Sequence, residues 1–115
     1  MFAGVFGSAV LAAPFASAHA KLTDSDPKAG TTLQVAPKGI ALTFNEKIEQ
    51  SFSSMSVIDS EGKPVSQDKA KVDATNHAVL RLPLTQLHTG TYTVKWAVAG
   101  HDGHRRTGDF KFSVK

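Results

Sequence analysis

Tyr92–Lys115, YTVKWAVAGHDGHRRTGDFKFSVK, contains two apolar runs of the same period around a short polar insert. Tyr92, Val94, Trp96 and Val98 recur at every second position, and Phe110, Phe112 and Val114 repeat the pattern after the insert. Alternation of this kind is the mark of half-buried β-strands, so the stretch predicts two strands joined by a connection. Gly100, Gly103 and Gly108 offer backbone freedom in and beside that connection. Asp102 and His104 lie two residues apart within it, and on an extended chain they point to the same side. An imidazole beside a carboxylate is part of a metal site but too few ligands to complete one.

Working outward, the same period recurs. Ile40, Leu42 and Phe44 alternate in GIALTFNEKIE, Phe52 to Ile58 continues the pattern with Met55 and Val57 in phase, and His77 to Leu84 carries Ala78, Leu80 and Leu82. Asp26-Pro27, Ala29-Gly30 and Asp59-Ser60-Glu61-Gly62 read as turns. No stretch holds a 3.6-residue period over helical length. Several short strands separated by turns predict an all-β, antiparallel β-sandwich in a single domain.

The 115 residues carry 13 Lys and Arg against 10 Asp and Glu, a formal charge of +3, with the basic residues scattered. Nucleic-acid binding calls for a clustered basic surface, so that class is disfavoured. Cysteine is absent, which removes disulfides, thiolate zinc sites and catalytic thiols together. A metal held here takes nitrogen and oxygen ligands.

Residues 1–18, MFAGVFGSAVLAAPFASA, hold no charged side chain and end in Ala16-Ser17-Ala18, the small-x-small pattern cut by signal peptidase. The expectation is a signal peptide over 1–18, cleaved on export, and a mature domain over 19–115. A membrane anchor is the rival, disfavoured by the shortness of the run and by Pro14. Cleavage after Ala18 makes His19 the first residue, and an N-terminal His can offer its α-amine and its imidazole Nδ1 to one metal ion. A His that merely follows a cleavage site is the plainer reading, and the Asp102/His104 pair shifts the balance. Glu46, at the end of the Ile40–Phe44 run, is either an ordinary solvated carboxylate or an oxygen at the margin of a metal site, as ligand or as a partner orienting a bound His. His77 and His88 read as surface residues beside turns, and His101 as a bystander that points away from His104 on an extended chain.

HAKL after the export signal, the Ser-Asp-Pro turn, LTFNE, HTGTYTVKW, HDGH and the closing FKFSVK together resemble the CopC family of bacterial periplasmic copper-binding, copper-resistance proteins, over essentially the whole mature chain. The resemblance implies a Greek-key β-sandwich, immunoglobulin-like or cupredoxin-like, that holds one Cu(II) ion at one end. It places the family's ligands on His19, Asp102 and His104, with its strand-end glutamate on Glu46. Several members also carry a Met-rich loop for Cu(I), which this chain lacks, holding only Met1 and Met55. Soft Cu(I) prefers sulfur, whereas amine, imidazole and carboxylate suit tetragonal Cu(II). The function implied is copper homeostasis or resistance as a monomer with no membrane span after cleavage, or delivery to a CopD-type inner-membrane transporter, with no substrate converted. The alternatives are a small histidine-brace copper mono-oxygenase, which would need an exposed aromatic platform, and a metal-free immunoglobulin-like interaction module.

Overall fold

The computed structural model describes residues 20–66 and 68–115. The expected signal peptide over 1–18 and His19 lie outside them. Eight strands follow in order among the described residues: β1 (Leu22–Asp26), β2 (Thr32–Leu33), β3 (Gly39–Phe44), β4 (Ser54–Ile58), β5 (Lys71–Val72), β6 (Val79–Pro83), β7 (Gly90–Ala99) and β8 (Arg105–Val114). Among the described residues there is no α-helix, only a 3₁₀ turn over Gln50–Phe52. The strands form two four-stranded sheets, β1-β3-β6-β5 and β2-β8-β7-β4, and the chain crosses from one to the other after each of the first four strands and again after β6, as a Greek-key sandwich allows.

The alternation seen in sequence is the alternation of burial. Ile40, Leu42 and Phe44 of β3 face the interior, as do Leu80 and Leu82 of β6, Tyr92, Val94 and Val98 of β7, and Phe112 and Val114 of β8. Burying each such side chain contributes about 1.5–3 kcal/mol before the entropy of ordering it, so the two inner faces hold the sheets together. Met55 and Val57 belong to this core. Tyr92 stacks on Phe112 with centroids 5.6 Å apart, and its hydroxyl donates to the His88 carbonyl at 2.7 Å. Trp96 meets Phe44 edge-on at 5.2 Å.

Two details differ from the sequence reading. β2 pairs with β8 in parallel, Thr32 opposite Ser113, so the otherwise antiparallel sandwich has one short parallel edge. Phe52 is 64% exposed rather than part of β4, because the 3₁₀ turn ends the crossing between the sheets and throws its side chain outward.

Candidate metal centre

Three stretches of chain meet at one end of the sandwich. The first is the β7–β8 connection. Gly103 donates its N–H to the Gly100 carbonyl at 3.0 Å and takes φ 80°, a conformation that glycine adopts without a side-chain clash. The connection is therefore a tight turn and not an extended segment. Asp102 Oδ1 accepts the His104 backbone N–H at 3.0 Å, which folds the pair together. The imidazole Nδ1 then lies 3.5 Å from Asp102 Oδ2, longer than an ordinary N–H···O hydrogen bond. Asp102 and His104 are neighbours as the spacing suggested, but a side-chain-to-backbone bond and not strand geometry brings them together.

The second stretch is the crossing from β3 to β4, which carries Glu46. Ile48 bridges Gly100, and the Glu49 N–H donates to the Ala99 carbonyl at 2.9 Å, tying the crossing to the base of the turn. The Glu46 carboxylate packs on Gly100: a Cβ built there would fall 2.6 Å from Oε1 and 2.9 Å from Cδ. Sequence reasoning singled out Glu46 by its place at a strand end and missed Gly100. A glycine directly before His101 and Asp102 is the available signal, and in sequence it suggests only backbone freedom.

The third stretch is the start of β1. Asn45 and Lys21 exchange two bonds, Asn45 N–H to the Lys21 carbonyl at 3.0 Å and Lys21 N–H to Asn45 Oδ1 at 2.8 Å. Ala20 is 1% exposed. The beginning of the described chain is thus fastened beside Glu46.

His101, exposed, lines an open cleft of about 590 Å³ together with Glu46, Glu49 and His77. His77 and His88 are exposed, as expected of residues at turns. Among the described residues no three His, Asp or Glu side chains are grouped closely enough to hold a metal ion by themselves. Asp102 and His104 supply one oxygen and one nitrogen donor on a single turn, an incomplete set of the kind that suits a borderline metal ion. No polar or charged side chain among the described residues is buried, so the donors face solvent at the rim.

A family model described as the CopC domain matches residues 22–115, every strand of the sandwich included. The chain belongs to the CopC family. It is 37% identical over 106 residues to the protein YobA of Escherichia coli K12, a match covering 91% of this chain and 86% of YobA. The CopC domain superposes on the crystal structure of CopC from Methylosinus trichosporium OB3b with a TM-score of 0.79 and 36% identity, covering 84% of this chain and 94% of that one. PcoC, a methionine-rich copper resistance protein from Escherichia coli, gives a TM-score of 0.74 at 30% identity, covering 85% of this chain and all (100%) of that one. CopC membership makes this a chain of a copper resistance and transport family. In contrast with methionine-rich PcoC, the described part of this CopC domain holds one methionine, Met55, and it is packed in the core.

Proposed function

We propose that this CopC protein is exported, cleaved after Ala18, and carries one Cu(II) ion in the periplasm. His19 supplies its α-amine and imidazole nitrogens, His104 a third nitrogen and Asp102 an oxygen, with Glu46 at the margin. The observation that carries this reading is the convergence of the Asp102–His104 turn, Glu46 and the fastened start of β1 at one end of the sandwich. Adjacent Cα atoms are 3.8 Å apart, so the residue before Ala20 has a short reach to that end. Copper(II) is favoured over copper(I) because the donors are nitrogen and oxygen and the Met55 thioether is in the core. The ligands must lose protons to bind, and an α-amine has an ordinary pKa of about 7.7–8.0, so affinity falls in acid.

The protein acts in copper homeostasis or resistance, as a monomer that sequesters the ion or passes it to a CopD-type inner-membrane transporter. No substrate is converted. Tyr92 is in the core and Trp96 is packed against Phe44 and Gly108, so neither contributes to an aromatic substrate platform. Titration of the form beginning at His19 with Cu(II), followed by electron paramagnetic resonance, tests the reading. One equivalent with nitrogen couplings is expected, and a spectrum without them would refute the site.

A further inference from the structure

We propose that Gly100 is a positioning residue for the copper site, and that its missing side chain is what lets Glu46 reach the Asp102–His104 turn. This rests on the function proposed above. Glu46 and Gly100 come from different sheets' connections, and the Glu46 carboxylate fills the space a Cβ at Gly100 would need, 2.6 Å from Oε1, 2.9 Å from Cδ and 3.4 Å from Oε2. Gly100 is buried, begins the turn by accepting the Gly103 N–H, and is bridged to Ile48 on the crossing that carries Glu46. Its backbone is not in the positive-φ region, unlike that of Gly103. Alanine can therefore take its conformation, and the requirement for glycine is one of space.

The atoms that obstruct a methyl group at position 100 are the far end of one flexible side chain and not backbone. An alanine there moves the carboxylate and leaves the strands in place. Gly100→Ala thus displaces the Glu46 carboxylate from its seat on Gly100 without altering any proposed donor or any charge.

The test uses the form beginning at His19, with Cu(II) as probe. Partners of this kind around a metal site are worth about 10–100-fold in metal affinity. Gly100→Ala and Glu46→Gln should each weaken Cu(II) binding by about that factor and shift the paramagnetic resonance parameters in the same way. The double variant should be no weaker than either single one, since both act on one carboxylate. Shortening the side chain makes room for the methyl group, so Glu46→Asp in the Gly100→Ala background should recover part of the affinity. Circular dichroism should stay that of the wild type throughout. Wild-type affinity and spectrum in Gly100→Ala, or losses that add in the double variant, would overturn the positioning role while leaving the copper site standing. Failure of the wild type itself to bind Cu(II) would overturn both.

Discussion

Replacing Gly108 by alanine would set a methyl carbon 2.5 Å from Cζ2, 2.8 Å from Cε2 and 3.2 Å from Cη2 of Trp96 on the facing strand. Carbon atoms in comfortable contact sit about 3.5–4.0 Å apart, so the indole has to retreat by roughly 1 Å. Such a shift also disturbs its edge-on contact with the buried Phe44, whose ring centroid lies 5.2 Å away. Overpacking of this sort costs about 1–3 kcal/mol. Replacing glycine within a strand returns about 0.5–1 kcal/mol of backbone entropy. The net expectation is a loss of about 1 kcal/mol, within a span of about 0–2.5 kcal/mol. With a urea slope of about 1–3 kcal/mol per molar, the unfolding midpoint should fall by roughly 0.5 M. Each kcal/mol should lower the melting temperature by about 4–8 °C. Trp96 is the single tryptophan, so its emission should follow urea unfolding and should also differ between the two folded proteins. In a Trp96→Leu background the penalty should disappear. An unchanged midpoint and emission maximum, or the same loss without the indole, would show that the contact is not what requires glycine.

Within the proposed site, His104→Ala should weaken Cu(II) binding in competition titrations far more than His77→Ala or His88→Ala, because His104 alone of the three shares a turn with Asp102; comparable losses would contradict the assignment. One residue added before His19 turns its amine into a planar, delocalised amide and should cost orders of magnitude in Cu(II) affinity with the circular dichroism unchanged; equal affinities would remove His19 from the site. Bonds from Thr75 and from the Arg81 guanidinium pull the Asp73 carboxyl from its ordinary 3.8 down to about 2. A folded-state pKa below the unfolded one adds stability that is fully present above pH about 4 and fades as pH falls towards 2. Asp73→Asn should therefore lower the urea midpoint at pH 6 and have lost most of its effect at pH 2, and an equal effect at both would assign the stability to packing alone.

The sandwich was legible because its strands are half-buried: a period of two in Ile40–Phe44, Tyr92–Val98 and Phe110–Val114 can be satisfied only by strands with one face inward. The pairing of Asp102 with His104 was legible as well, since two residues in one short loop cannot separate far. Several features were decided by the tertiary structure. Thr32–Leu33 has no pattern that distinguishes a parallel edge from an irregular loop, and only the position of β8 makes it a strand. Phe52 continues the alternation in sequence yet faces solvent, because the crossing from β3 must turn before β4 begins. Gly100, Gly103 and Gly108 look alike in sequence, and all three suggested freedom of the backbone. Gly103 alone among them needs a positive φ, whereas Gly100 makes space for Glu46 and Gly108 for Trp96. Local sequence dictates dihedral preference and periodicity, which are properties of neighbours along the chain. Whether a missing Cβ is filled by a carboxylate or an indole depends on which distant segment folds against it, and that is settled only when the two sheets close.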